Sequence, residues 1–99
     1  MKRTIDGDTV EFYVDLGFDT LRVEKIRFLG VDTPERGEDG YKKAKFFVQD
    51  ALSTCENVII ETSKDHVGKF GRYLATIYYD GKNLNQELLN KGMAKPFMV

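Results

Sequence analysis

Ile26-Arg27-Phe28-Leu29-Gly30-Val31-Asp32-Thr33-Pro34-Glu35 reads as an apolar strand that carries one arginine, breaks at Gly30 and ends in a stiff turn bearing two acids. A strand that stops in Asp-Thr-Pro-Glu sets carboxylates on a rigid backbone at a sheet end, where binding and metal sites commonly sit. The strand itself extends back to Thr20. Leu21 and Val23 mark one face, the alternation slips at Glu24-Lys25, and it resumes with Ile26 and Phe28. Such a slip predicts a bulge or sharp bend, a device that closes small barrels.

Upstream, Asp8 to Val14 alternates in the period of a half-buried strand, with Val10, Phe12 and Val14 on one side. Asp6-Gly7 precedes it as a turn or bulge signal, and the residues around Gly17 form a hairpin turn. Downstream, Arg36 to Gly40 is a polar loop. Tyr41, Ala44, Phe47, Val48, Ala51, Leu52 and Cys55 then make a helical stripe, predicting a packing helix over about 41–55. Asn57 to Thr62 is a strand, Ser63 to Phe70 a loop, and Arg72 to Tyr79 a strand that meets the Asp80-Gly81 turn signal. Asn83 or Asn85 can cap a short helix carrying Leu84, Leu88 and Leu89, with Gly92 ending it. The apolar tail after Met93 is too short for another helix. Bent strands with a helix inserted after the third predict a mainly β, five-stranded Greek-key barrel of OB type, formed as one domain over residues 1–99.

Composition bounds the function classes. With 99 residues, 41% hydrophobic and 31% charged, the chain suits a folded domain rather than a disordered one. The single cysteine, Cys55, rules out an internal disulfide and a cysteine-built zinc site. No signal peptide is expected from the residues present, since Asp6 arrives before any apolar run. The net charge of −1 makes no case for a polyanion partner by itself. Its distribution is uneven: residues 1–40 carry six basic and ten acidic side chains, residues 64–99 six basic and three acidic. One part can therefore cage a cation while the other faces an anion.

Three segments carry the chemistry: Asp6-Gly7-Asp8-Thr9, Arg27 with Asp32-Thr33-Pro34-Glu35, and Gly68-Lys69-Phe70-Gly71-Arg72. Calcium takes oxygen ligands. Asp8 and Asp32 can each give a carboxylate and Thr33 its carbonyl, with water or a substrate phosphate completing the shell. Glu35, three residues past Asp32, can act on a water as general base. Arg27 and Arg72, from separate strands, can clamp a phosphoryl group with forked donors. Lys69 is a candidate phosphate contact, and Tyr73, Tyr78 and Tyr79 are candidates for stacking on bases. His66 is read as a surface loop residue.

These segments resemble the staphylococcal nuclease (thermonuclease) family. The likeness runs from I-D-G-D-T-V at Ile5–Val10, through R-F-L-G-V-D-T-P-E at Arg27–Glu35 and K-F-G-R-Y-L-A at Lys69–Ala75, to D-G-K-N-L-N at Asp80–Asn85 and G-M-A-K at Gly92–Lys95. The resemblance implies an OB-type barrel and a calcium-dependent nuclease acting on single-stranded or frayed DNA and RNA and leaving 3′-phosphates. It implies Asp8, Asp32 and the Thr33 carbonyl as metal ligands, Asp6 beside them, Glu35 on the attacking water, and Arg27 and Arg72 on the phosphate. The chain departs from the family where Phe70 replaces a tyrosine, where Gly68 stands for an aspartate, and in the tail. There Pro96, Phe97, Met98 and Val99 follow Lys95, and the family's C-terminal helix is expected to be absent. Thinned ends predict weaker substrate binding and an apolar surface at Phe97 and Met98 that a second copy could cover. A non-catalytic OB module for nucleic acid or protein is the alternative, but it would need neither Glu35 nor both arginines. A structural fragment dependent on missing segments is the third reading.

Overall fold

In the computed structural model, which describes residues 3–15, 17–68 and 72–97, the chain forms a mixed sheet with two helices. Strand β1 (Arg3–Asp6) turns at Gly7-Asp8 into β2 (Thr9–Asp15), which pairs antiparallel with β3 (Leu21–Phe28). After the Leu29-Gly30 turn comes a two-residue strand, β4 (Val31–Asp32), and then helix α1 (Tyr41–Thr54). The long β5 (Val58–Gly68) and β6 (Arg72–Tyr79) form the second antiparallel pair. β7 (Lys82–Asn83), α2 (Leu84–Asn90) and β8 (Lys95–Pro96) finish the described chain.

The sheet order is β1-β2-β3-β6-β5, with β3 and β6 parallel and β7 attached to β6. This mainly β arrangement, with a helix between its third and fourth long strands, is OB-type, as the sequence predicts. The core is built from the inward residues of these elements, among them Val10, Phe12, Ile26, Phe28, Val48, Leu52, Ile77, Leu84 and Leu88.

Three details differ from the sequence reading. No bulge occurs at Glu24-Lys25: β2 and β3 stay in continuous register from Thr9↔Arg27 to Asp15↔Leu21. The apolar pattern slips there because a charged residue takes an inward position, opposite buried Phe12, while apolar residues take outward ones. Glu24 shares the face of Ile26 and Phe28 and pairs with Arg22, while Leu21 and Val23 lie on the other face and are exposed. The loop expected over Ser63 to Phe70 is largely strand, since β5 continues to Gly68 with a register shift between Thr62 and Val67. The tail forms β8, antiparallel to β4.

The two candidate caps of α2 divide their work. Asn83 is the N-cap, its side chain accepting from Gln86 N–H at 3.0 Å. Asn85 is buried and ties three segments together. Its Oδ1 accepts from Ile77 N–H (3.1 Å), and its Nδ2 donates to Ala75 O (3.1 Å) and Leu29 O (2.8 Å). The last bond fixes the turn from which β4 and Asp32 start. Tyr79, farther along β6, donates its hydroxyl to Glu87 of α2. Burial first, then this bond to a carboxylate, push its pKa up to about 12.

Replacing Asn85 with leucine strands the Ile77 N–H and the Leu29 carbonyl, and is expected to cost about 2–4 kcal/mol in urea denaturation; an unchanged midpoint would contradict the bridging role. The Tyr79–Glu87 contribution is fully present below pH ~10 and is lost as pH rises towards about 12. Tyr79→Phe is therefore expected to lower the melting temperature at neutral pH and to flatten its alkaline decline, read by thermal melts across that window.

Candidate functional site

Gly7 is the local reason the site assembles. A Cβ there would lie 2.8 Å from Ala44 Cβ and 3.0 Å from Thr33 Oγ1. Only glycine lets the β1–β2 turn press between α1 and the segment after β4. The helix is held in that position by Tyr41, whose hydroxyl donates to Ile5 O (3.2 Å). With the turn seated, Asp8 Oδ2 accepts the Thr33 backbone N–H at 3.0 Å, and Thr9 Oγ1 donates to Asp8 Oδ1 at 3.1 Å. A backbone bond from Phe28 N–H to Asp8 O (2.8 Å) adds a third fixing point. Two motifs 25 residues apart in sequence are thereby joined at the Asp8 carboxylate.

Arg27 sits at the end of β3, with its side chain only 12% exposed. Its Nη1 donates to Val31 O (2.7 Å) and Phe28 O (3.1 Å) and lies 3.4 Å from Asp8 Oδ2; its Nη2 is 3.5 Å from Asp32 Oδ1. The guanidinium therefore faces both candidate ligand carboxylates. Phe97 caps it, the ring centroid 5.5 Å from the guanidinium carbon.

These groups line one cavity of about 330 Å3, with Asp6, Asp8, Arg27, Asp32, Thr33, Glu35 and Phe97 among its walls. The Asp32-Thr33-Pro34 turn also borders a neighbouring cavity lined by Glu38, Asp39 and Lys95. Glu35 is exposed, and its backbone N–H is held by Glu38 Oε1 at 2.7 Å, with Glu38 N–H returning to Glu35 O at 2.9 Å. This reciprocal turn sets where the Glu35 side chain leaves the backbone.

Four carboxylates against one guanidinium give the cavity lining a formal charge of −3. A phosphodiester would be repelled unless a cation entered with it. The donors suit a hard cation. The two ligand candidates are carboxylates, Thr33 adds a carbonyl, and the Thr33 hydroxyl oxygen is buried without a hydrogen-bond partner among the described residues. Among those residues, no three acidic, histidine or cysteine side chains stand together as a closed metal cage. A cation here would rely on two carboxylates, a carbonyl and oxygens from solvent or substrate. Asp8, Asp32, Thr33 and the cavity-lining Glu35 fit that open arrangement.

The structure thus gathers Asp6, Asp8, Arg27, Asp32, Thr33 and Glu35 in one place. Arg72 opens β6, two positions before Leu74, the residue in register with Arg27; its side chain lies outside the described part. Lys69 and Phe70 also lie outside the described residues. Tyr73 is 38% exposed at the start of β6 and is not among the residues lining this cavity. Phe97, read from sequence with Met98 as apolar surface for a second copy, is half exposed and also turns its ring to Arg27 within the same chain; Met98 lies outside the described residues. The residue that sequence reasoning missed outright is Gly7 as a packing element. Its signal was its place between two aspartates, where only the turn role was read.

Residues 25–99 match the family model described as staphylococcal nuclease homologue. Over 106 residues the chain is 35% identical to endonuclease YncB of Bacillus subtilis (strain 168), covering 96% of this chain and 46% of that protein. It is 33% identical over 100 residues to a thermonuclease of Staphylococcus intermedius, covering 96% and 56%. With the SPbeta prophage-derived endonuclease YokF of Bacillus subtilis (strain 168) it shares 33% over 106 residues, covering 96% and 32%. The chain therefore spans between a third and somewhat over half of the length of these relatives.

Gly7→Ala is expected to destabilise the fold by about 1–3 kcal/mol through overpacking against Ala44 and Thr33. Chemical denaturation reads the loss, and pairing it with Ala44→Gly should recover part of it. Equal loss in the single and paired variants would place the strain elsewhere.

Proposed function

Because the chain belongs to the staphylococcal nuclease family, we propose that it is a calcium-dependent nuclease that hydrolyses phosphodiester bonds of DNA and RNA to 3′-phosphate products. The observation that carries this reading is the meeting of Asp8, Asp32, Thr33, Glu35 and Arg27 in one acidic cavity. The relatives' names, endonuclease and thermonuclease, support the same class.

Asp8, Asp32 and the Thr33 carbonyl are the residues that would hold the calcium ion, with Asp6 lending negative charge beside them. When bound, the ion supplies positive charge that offsets the acidic lining and polarises the phosphoryl group. Glu35 takes a proton from the attacking water. The water oxygen bonds to phosphorus opposite the 5′-oxygen, whose bond to phosphorus breaks, leaving the phosphate on the 3′ side and a 5′-hydroxyl once the leaving oxygen gains a proton. Arg27 and Arg72 donate to the non-bridging oxygens, where charge builds in the transition state. Lys69 meets a neighbouring phosphate, and Phe70 and Tyr73 offer apolar faces to bases. Single-stranded or frayed substrates fit best, since an unstacked strand bends a phosphate into an inset cavity at least cost.

Cleavage of a single-stranded oligonucleotide is expected in millimolar calcium and is expected to stop with chelator. Glu35→Gln should lower kcat by about 10²–10⁴-fold while leaving the fold intact, because Glu35 is exposed. End-group analysis should find 3′-phosphates. Salt-sensitive binding with no cleavage in calcium would favour the non-catalytic module instead.

A further inference from the structure

Arg27 is held by carbonyls and carboxylates, and its guanidinium carbon also lies over the ring of a residue from the far end of the described chain. The Phe97 centroid lies 5.5 Å from the guanidinium carbon. Phe97 is delivered there by the backbone. Val31 pairs with Pro96 and Asp32 with Lys95, and the Phe97 N–H donates to Gly30 O at 2.9 Å. The same short ladder that seats Phe97 therefore runs along the segment carrying Asp32. The ring is half exposed (46%) and forms part of the cavity wall.

We propose that Phe97 is a positioning residue for Arg27, holding the guanidinium by cation–π contact so that its forked donors meet the phosphoryl group. The inference rests on the reading of Arg27 as a phosphoryl contact. A guanidinium tied only at its edge can still tilt about its bonds to Val31 O and Phe28 O. A ring against the cation limits that freedom, which keeps the guanidinium aimed at charge developing nearby. Such an effect is larger in the transition state than in substrate binding, so it acts on kcat more than on KM.

The test uses the full chain with Phe97→Leu, which keeps apolar bulk without a π face, and Phe97→Trp, which keeps the face. Two readouts are taken: the Arg27 side-chain NMR resonances, displaced by the ring current of Phe97, and steady-state cleavage of a single-stranded oligonucleotide in calcium. Phe97→Leu is expected to remove the displacement and to lower kcat about three- to tenfold with KM changed less than about twofold, and Phe97→Trp to restore both. An Arg27 resonance unchanged in the leucine variant overturns the proposal. So does a kcat loss that tryptophan fails to rescue, or a rise in KM at constant kcat, which would make Phe97 a plain substrate contact. If the unaltered chain does not cleave at all, the nuclease reading fails, while the resonances still decide whether Phe97 holds Arg27.

Discussion

A nearly buried guanidinium is the constraint on which the site end of this molecule depends. Taking an arginine out of water costs several kcal/mol unless its donors are met, and the Arg27 side chain is only 12% exposed. Its partners come from every segment that forms the cavity. The Phe28 carbonyl binds it from its own strand, the Val31 carbonyl and Asp32 from β4, Asp8 from the β1–β2 turn, and Phe97 from the tail. Each partner also gains from the arrangement. Asp8, with 9% of its side chain exposed, would be a buried carboxylate held only by an amide and a hydroxyl if Arg27 were absent. The ion pairs are therefore better understood as mutual solvation of groups gathered at one cavity than as a source of net stability.

The apparatus around that centre is apolar packing and backbone bonding. Gly7 gives the closest approach between the acidic turn and α1, so a missing side chain sets the separation of Asp8 and Thr33. Asn85 does the complementary job from the other side, fastening the Leu29 carbonyl to the start of α2 and to β6. Neither residue lines the cavity. Both fix the backbone from which the acids project, which is the kind of support a site needs when its own charged side chains repel one another.

Much of this was legible in the sequence because it rests on local pattern. The period-two run from Val10, the helical stripe from Tyr41 to Cys55 and the Asp80-Gly81 turn each declare an element through spacing that nearby residues enforce. The co-occurrence of Asp6, Asp8, Arg27, Asp32, Thr33 and Glu35 pointed to one site, and they do share one cavity. The rest depended on long-range pairing. Glu24 broke the alternation of β3 because it takes an inward position opposite Phe12 while Leu21 and Val23 face outward, and a bulge gives the same one-dimensional signature. Asn85 resembled a helix cap because its local context is that of one, and only its buried contacts with Leu29, Ala75 and Ile77 separate the roles. Lys95-Pro96 carries almost no strand propensity and becomes a strand because β4 offers an edge.

That edge pairing has a consequence for how the site is held together. β8 is joined to β4 through two residue pairs, with one further bond from Phe97 to Gly30. So short a ladder carries little stability of its own, and its order is inherited from α2, anchored just ahead of it by the fully buried Leu84 and Leu88. Asp8 and Thr33, by contrast, are fixed by the core-packed β2–β3 hairpin, by their own hydrogen bond and by the packing at Gly7. The cavity therefore joins a firm wall, holding Asp8 and Thr33, to a lighter one, holding Phe97 and facing Asp32 through Lys95. A cation and phosphate that bind across both walls would stabilise the lighter one by linkage, because contacts formed only in the ordered arrangement favour that arrangement. On this division the firm wall sets where charge is placed, and the light wall sets how closely Arg27 is held to it.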